Sequence, residues 1–158
     1  MKRIALTSLI ILALDQASKW WIVKGLDLAT RQEIDVLPPF VNFRMAWNRG
    51  VNFGLFGNDS AVMPWILIGV SIIISAGVLW WLRANTDWRA QVSAGLLVGG
   101  AIGNSIDRAI HGAVADFLNM SCCGFENPYS FNVADIAIFF GAVGLIFWGE
   151  AKSGQKSR

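Results

Sequence analysis

Two aspartates, Asp116 and Asp135, have the residue type and setting that best fit a catalytic role in this sequence. One follows the third apolar stretch of the chain and the other begins the fourth, so both fall at the same end of the predicted helices. Neighbouring carboxylates in a partly desolvated site cannot both ionise easily, and the pair keeps one proton. The ionised member can accept a proton from a water that attacks a peptide carbonyl, while the protonated member donates one. This pattern predicts peptide hydrolysis by two aspartates.

Asp135 also has an interpretation that needs no chemistry. Asn132 is a suitable N-cap for the last helix, and Asp135 is then the third helical residue, where a carboxylate interacts well with the helix dipole. Spacing in sequence cannot show that Asp116 and Asp135 meet in space, so both interpretations stay open here. No serine or cysteine nucleophile paired with a base is evident.

Two further pairs of polar residues stand at helical spacing near the same end. Asp15 and Lys19 are four apart, so they can form an ion pair, or the pair can simply close the helix end with Lys19 extended to the interface. Asn104 and Arg108 are also four apart, and they can orient a carboxylate or a substrate carbonyl. Because a charge at the centre of a membrane span costs roughly 2.5–3.5 kcal/mol, each invites a functional hypothesis.

Apolar helices are the elements that must position these residues. The 158-residue chain is 54% hydrophobic and 15% charged, whereas roughly 25% of a soluble domain is charged. Four apolar stretches, at about 4–23, 61–82, 90–108 and 133–149, are near the length of about 20 residues that spans a bilayer. We therefore predict an all-α membrane protein with four transmembrane helices, forming a single domain over residues 1–158.

The positive charges predict the orientation of these helices. Residues 1–3, 83–89 and 150–158 hold seven of the thirteen lysines and arginines, whereas the longer segments 24–60 and 109–131 hold four. Both termini are therefore expected in the cytoplasm and the two longer segments outside. Segment 24–60 mixes β-favouring stretches with turn residues, which predicts a small β-rich cradle on the membrane surface, with an ordinary loop as the alternative. Segment 109–131 is predicted as an outer loop.

Other features indicate packing or exclude classes of partner. Gly95, Gly99 and Gly103 repeat every fourth residue, a spacing that lets another helix approach closely. The formal charge of +2 is too small to indicate a nucleic-acid partner. A single histidine excludes a multi-histidine metal site, and the adjacent Cys122 and Cys123 make no zinc or disulfide framework. We expect no metal and no cofactor.

The motifs around these residues resemble those of the lipoprotein signal peptidase family, also called signal peptidase II. They occur from the first predicted helix to the last, and their order and setting are specific to that family. The matching blocks are Asp15-Gln16 with Lys19, Asn48-Arg49-Gly50, Gly99 to Arg108, Val114-Ala115-Asp116-Phe117, and Phe131 to Asp135.

The resemblance implies an aspartic endopeptidase of the bacterial cytoplasmic (inner) membrane, with its active site at the periplasmic face. Asp116 and Asp135 are then the catalytic dyad, and an aspartate activates the attacking water without a metal. The implied substrate is a diacylglyceryl-modified prolipoprotein, cleaved just before its lipidated cysteine in contact with membrane lipids, and we expect a monomer. The residues implied to support the dyad or hold substrate are Asp15, Lys19, Asn48, Gly50, Asn104, Arg108 and Asn132.

Two other classes of function stay open from the residues alone. In a transporter or proton-coupled carrier, Asp15, Asp107, Asp116 and Asp135 would form a relay across the bilayer. None of these carboxylates is predicted near the cytoplasmic half of a span, so no crossing path is marked. An assembly protein built on the glycine repeat would explain the packing but not the acidic residues.

Overall fold

The computed structural model describes residues 1–38, 40–50, 62–122, 124 and 127–150. The end of the predicted cradle with the first residue of the second predicted helix (51–61), Cys123 and the predicted cytoplasmic segment 151–158 lie outside the described residues. The elements in chain order are α1 (Lys2–Lys19), a π-helical segment (Trp20–Gly25), α2 (Leu28–Arg31), β1 (Glu33–Leu37), β2 (Val41–Asn48), α3 (Met63–Trp81), α4 (Trp88–His111), β3 (Val114–Met120) and α5 (Val133–Trp148).

Helix α4 is the centre of the bundle, because α1, α3 and α5 all pack against it. It begins at the N-cap Asp87, whose carboxylate accepts the Arg89 N–H at 2.8 Å. It ends at Gly112, which has the left-handed φ of 69° that favours glycine. A Cβ on Gly99 would lie 2.7 Å from the Ser8 carbonyl oxygen of α1. The predicted close approach of another helix to the glycine repeat is confirmed.

Helix α3 differs from its neighbours because none of its residues is buried within the fold. It has 19 residues and a mean hydropathy of 2.0, so it is long and apolar enough to cross a membrane. Helix α5 is also apolar but has 16 residues. Within the described part of the chain, α3 is the one helix that meets both criteria. The prediction of four spans is supported at this helix and stays a prediction at the other three.

The first predicted helix departs from regular α geometry near its end. The α-helix stops at Lys19, and the wider π-helical segment follows, with the Leu26 N–H bonded to the Trp21 carbonyl oxygen at 2.9 Å. The buried Ile22 and Val23 of this segment belong to an apolar cluster that also includes residues of the sheet. The segment therefore joins the helix bundle to the surface sheet.

The surface sheet has three antiparallel strands in the order β1-β2-β3. Strands β1 and β2 lie in the predicted cradle, but β3 lies in segment 109–131, where a loop was predicted. The β3 sequence contains Asp and Asn, which are rare in strands, so its composition alone does not indicate one. Pairing with β2 and burial of Ala115 and Phe117 against the π-helical segment stabilise it instead.

Candidate active site

Asp116 lies on β3, and pairing on both sides of that strand fixes its position. Its register partner on β2 is Ala46. On the other side, the N–H groups of Phe117 and Leu118 donate to the Phe131 carbonyl oxygen at 3.1 and 2.8 Å. Because Phe131 directly precedes the N-cap of α5, these bonds bring the start of that helix next to Asp116.

Asn132 and Asp135 form a reciprocal capping box at the start of α5. The Asp135 N–H donates to Oδ1 of Asn132 at 2.9 Å, and the Asn132 N–H donates to Oδ2 of Asp135 at 3.3 Å. The predicted N-cap is confirmed. The side-chain amide of Asn132 also donates to Oδ1 of Asp116 at 2.6 Å. Asp135 can therefore both take part in the helix cap and belong to the site, because its capping partner Asn132 also contacts Asp116.

Asn104 of α4 completes a chain of hydrogen bonds between the two aspartates. Its Oδ1 accepts from Nδ2 of Asn132 at 3.2 Å, and its Nδ2 donates to Oδ1 of Asp135 at 2.8 Å. Since an ionised carboxylate only accepts, both amide nitrogens must face the aspartates. Within this chain, which runs Asp116, Asn132, Asn104, Asp135, each aspartate accepts from the side-chain amide next to it.

Lys19 orients this chain from α1. Lys19 is 6% exposed, and its ammonium group donates to Oδ2 of Asp15 at 2.8 Å and to Oδ1 of Asn104 at 3.2 Å and pairs with Oδ2 of Asp107 at 2.9 Å. Three acceptors match the three donors of an ammonium. The other oxygen of Asp15 accepts the Ala134 N–H at 3.0 Å. The predicted pair of Asp15 and Lys19 is present, and it joins α1, α4 and α5 as well as closing a helix end.

Asn48 and Gly50 lie at the end of β2, next to Asp116. The Asn48 side chain is hydrogen-bonded to Asp116, and its Oδ1 accepts the Gly50 N–H at 2.9 Å. Gly50 has a φ of 94°, and a Cβ there would also collide with the Leu67 side chain. Glycine at this position therefore allows the turn that holds Asn48 against the aspartate.

Arg108 lies one helical turn beyond Asn104. One of its terminal nitrogens, Nη1, donates to the Asn104 carbonyl oxygen at 3.3 Å, and its charge interacts with Asp135, Asp116 and Asp107. Its Nε is buried and has no hydrogen-bond partner among the described residues. A buried donor without an acceptor is costly, so this atom is available for a carbonyl or carboxylate of a ligand.

The environment of Asp116 changes its acidity. Asp116 is 3% exposed. Burial, followed by the negative charge of Asp135, raises the pKa of the Asp116 carboxyl from 3.8 to about 6. Hydrogen bonds from Asn48 and Asn132 and the charge of Lys19 act in the opposite direction on this pKa. A carboxyl with a pKa near 6 can hold a proton next to an ionised partner, as acid–base catalysis requires.

Asp107 and Gln16 also belong to this network, although they were not among the predicted site residues: Gln16 appeared only within a family motif, and Asp107 only within such a motif and in the alternative of a proton relay. Nε2 of Gln16 donates to Oδ2 of Asp15 and to Oδ1 of Asp107, both at 3.1 Å. The signal that could have found Asp107 is its position three residues after Asn104, on the same face of α4. Among the described residues, no group of three or more His, Cys, Asp or Glu side chains could hold a metal ion.

Comparisons with known proteins match this architecture. A family model described as "Signal peptidase (SPase) II" matches residues 7–149. The lipoprotein signal peptidase of Methylorubrum extorquens is 47% identical over 135 residues, which are 85% of this chain and 78% of the relative. That of Methylobacterium radiotolerans is 41% identical over 157 residues, covering 99% and 91%.

Solved structures agree on the fold. A bacterial membrane enzyme determined by the in meso method at 2.3 Å resolution superposes with a TM-score of 0.73 at 25% identity, covering all of this chain and 94% of the other. A second bacterial membrane enzyme, at 1.9 Å resolution, has a TM-score of 0.78 at 24% identity, covering 97% and 96%. With the family model spanning both aspartates and relatives well above 30% identity, this chain belongs to the signal peptidase II family.

Proposed function

We propose that this chain is an aspartic endopeptidase that removes the signal peptide from diacylglyceryl-modified prolipoproteins, cleaving before the lipidated cysteine. Family membership makes it a peptidase and a bacterial membrane enzyme that acts on lipoproteins. The observation that carries the aspartic mechanism is the hydrogen-bonded chain from Asp116 through Asn132 and Asn104 to Asp135. The chain links the two carboxylates through two side-chain amides, and the charge of Asp135 acts on Asp116.

The proposed reaction uses one proton shared by the dyad. The ionised aspartate accepts a proton from a water, and the water oxygen bonds to the scissile carbonyl carbon. The protonated aspartate donates to the carbonyl oxygen at the same stage. When the tetrahedral species collapses, the carbonyl oxygen returns its proton, the C–N bond breaks, and the amine leaves with the proton taken from water. The dyad then again holds a single proton.

Arg108 and Asn48 are the proposed contacts around the reacting peptide. The Nε of Arg108, buried and without a partner among the described residues, can donate to a substrate carbonyl, and the charge of Arg108 interacts with both aspartates of the dyad. Asn48 contacts Asp116 from β2 and so restricts the rotation of its carboxylate. Fixed donors around a reacting carbonyl stabilise the charge that develops on its oxygen.

A groove between α3 and α4 supports a lipid-bearing substrate. It has a volume of about 500 Å³ and is lined almost entirely by apolar and small side chains, including Trp65, Ile68 and Ile102. Its lining continues along α4 to Ala109, the residue after Arg108. An acyl chain placed there would leave its glyceryl end near the dyad.

The proposed topology places both termini in the cytoplasm and the sheet and dyad at the periplasmic face. Arg83 and Arg89, near the other end of α3 and α4, lie over the rings of Trp80 and Trp88 at 4.6 and 5.7 Å, as expected of basic and aromatic residues at a cytoplasmic interface. The sheet and the dyad lie at the opposite end of α4. We further propose that the enzyme works as a monomer.

The distribution of buried charge favours this function over a carrier. Among the described residues, the buried charged side chains are Asp15, Lys19, Asp107 and Asp116. They connect in one network at the end of α4 that carries the dyad. A relay across the bilayer needs acidic groups at several depths, whereas this arrangement concentrates them at one.

The test is cleavage of a synthetic peptide with a diacylglyceryl-modified cysteine by purified protein in detergent. Asp116→Asn and Asp135→Asn keep the side-chain shape and remove the acid–base group, so each should lose essentially all turnover while the folded protein still accumulates. Asp87→Asn is the matched control, since Asn also caps helices well and Asp87 lies at the other end of α4. Its turnover should equal that of the wild type. Cleavage retained in either dyad variant would end the proposal.

A further inference from the structure

We propose that Asp107 is a positioning residue for both catalytic aspartates, and that it acts through two separate hydrogen-bonded routes. This inference rests on the proposed peptidase function. One route leads through the backbone of β3 to Asp116, and the other leads through Lys19 and Asn104 to Asp135.

The first route is a bond between a side chain and the strand. Oδ2 of Asp107 accepts the Ala115 N–H at 3.2 Å. Ala115 immediately precedes Asp116, and both residues are buried. Backbone N–H groups of a strand lie in the plane of the sheet, so the carboxylate of Asp107 holds β3 at an edge, the same edge at which the Phe117 N–H donates to the Phe131 carbonyl oxygen. The bond fixes the height of the strand over the end of α4 and therefore the position of Asp116.

The second route is an ion pair that selects an amide orientation. Oδ2 of Asp107 lies 2.9 Å from Nζ of Lys19, which in turn donates to Oδ1 of Asn104 at 3.2 Å. With its oxygen held by Lys19, the amide of Asn104 presents its nitrogen to Asp135 at 2.8 Å. If Lys19 moved away, the flipped amide would place an oxygen against the Asp135 carboxylate. The ion pair thus favours the orientation that the dyad requires.

Asp107 itself is separated from the reacting groups. With Gln16, Lys19 and Ala115 it lines a cavity of about 360 Å³ that includes none of Asn104, Asn132 or the dyad in its wall. Its exposed fraction is 4%, and its oxygens are occupied by Gln16, Lys19 and the Ala115 N–H. Because both oxygens of Asp107 accept from neighbouring groups, its carboxylate positions those groups and does not exchange protons with a substrate.

Charges from every neighbouring element act on this group. Helix α1 contributes Lys19 and Asp15, and α4 contributes Arg108. Lys24 of the π-helical segment and His111 of α4 line the same cavity as Asp107. Strand β3 and helix α5 contribute the two dyad residues. The positive charge of Lys19 lowers the pKa of Asp116. Neutralising Asp107 leaves Lys19 with a single carboxylate partner and strengthens that effect, so the pKa of Asp116 should fall.

Two variants of Asp107 separate positioning from general structural support. In Asp107→Asn we expect kcat to fall about 100-fold, because small displacements of catalytic groups have effects of that order. The alkaline limb of the pH profile, where kcat/KM falls as the pH rises, should also move to lower pH. In Asp107→Glu the charge is kept but the carboxylate is displaced by one methylene, so kcat should fall while the alkaline limb stays in place. A merely structural role would reduce the amount of folded protein without moving the limb.

The measurement is a pH profile of cleavage of the diacylglyceryl-cysteine peptide by each purified variant, with Asp87→Asn as the control. Unchanged kcat in a folded Asp107→Asn, or a folded Asp107→Asn whose limb does not move, would overturn the inference. If Asp107→Asn does not fold, the test depends on Asp107→Glu. A kcat equal to that of the wild type in Asp107→Glu would refute the inference that Asp107 positions β3. Wild-type protein and the dyad variants in the same assay test the peptidase function itself, so the two failures are distinguishable.

Discussion

Replacing Asp116 by Asn should inactivate the enzyme and, at neutral pH, stabilise its fold. Burial and the charge of Asp135 raise the pKa of Asp116 from 3.8 to about 6. In the unfolded chain the carboxyl ionises near the lower value. Folding therefore takes up a proton between these pH values, and the native state loses stability as the pH rises through them. Below pH 3.8 this cost is absent, and above pH 6 it is complete.

The magnitude follows from the difference of about two pH units between the folded and unfolded pKa values. At 1.36 kcal/mol per unit, the ionised carboxylate costs the folded state about 3 kcal/mol. The new amide nitrogen of the Asn variant lacks an assured acceptor, which subtracts about 1 kcal/mol. A net gain of about 2 kcal/mol at pH 7.5 corresponds to a rise in Tm of about 4–8 °C for a chain of this size. At pH 4 the gain should disappear.

Thermal unfolding of wild type and Asp116→Asn in the same detergent, between pH 4 and pH 8, measures this effect. Asp35→Asn on the exposed part of β1 is the control and should leave Tm unchanged across the range. A Tm difference that is the same at pH 4 and pH 7.5 would refute the reasoning, because a titrating group would then not be its source. Lower stability of Asp116→Asn at pH 7.5 would show that the carboxylate is better solvated than its burial indicates.

Three further expectations concern the same molecule. Because Asp116 loses its proton near pH 6, kcat/KM should fall as the pH rises above that value, about tenfold per unit, in a steady-state profile from pH 5 to 8. Gly99→Ala should lower the free energy of unfolding by about 1–3 kcal/mol, because the added Cβ meets the Ser8 carbonyl oxygen. Gly77→Ala is the control and should not lower it, since a Cβ there has nothing within 4 Å. Urea or thermal unfolding in detergent compares the two variants. Asn132→Ser should keep the helix cap and hence Tm within a few degrees, but should lose turnover, because the amide donor to Asp116 is removed.

Each of these expectations can fail in a specific way. A pH profile that is flat across pH 6 would contradict a shared proton on the dyad. Equal stability of the two glycine variants would contradict close backbone contact between α1 and α4. Turnover close to wild type in the serine variant would show that the amide bridge is not needed for catalysis.

The helices could be predicted because their signals are local. The four apolar stretches all contain helices, the Asn132 cap forms as its sequence indicates, and the glycine repeat packs against α1. Each depends on residues within a few positions of one another, so length, composition and spacing are sufficient. The π-helical continuation after Lys19 was not predicted, since it depends on the packing of the following segment against the sheet.

The strand that holds Asp116 and the role of Asp107 could not be predicted in this way. Strand β3 exists because β2 pairs with it, with register partners 66 to 79 positions apart in the chain. The sequence placed Asp107 in a family motif and in a possible relay, but its contacts with Gln16 and Lys19 became known only from the tertiary structure.

The sequence by itself therefore determined which residue types are available and at which end of the helices they lie. Only the tertiary structure decided which of them are hydrogen-bonded. The contacts that define the site join residues far apart in the chain, such as Asp15 with the Ala134 N–H at a separation of 119 positions. A hydrogen bond requires its two atoms to lie within a few tenths of an ångström of an ideal distance, and that accuracy comes from the packing of helices and sheet.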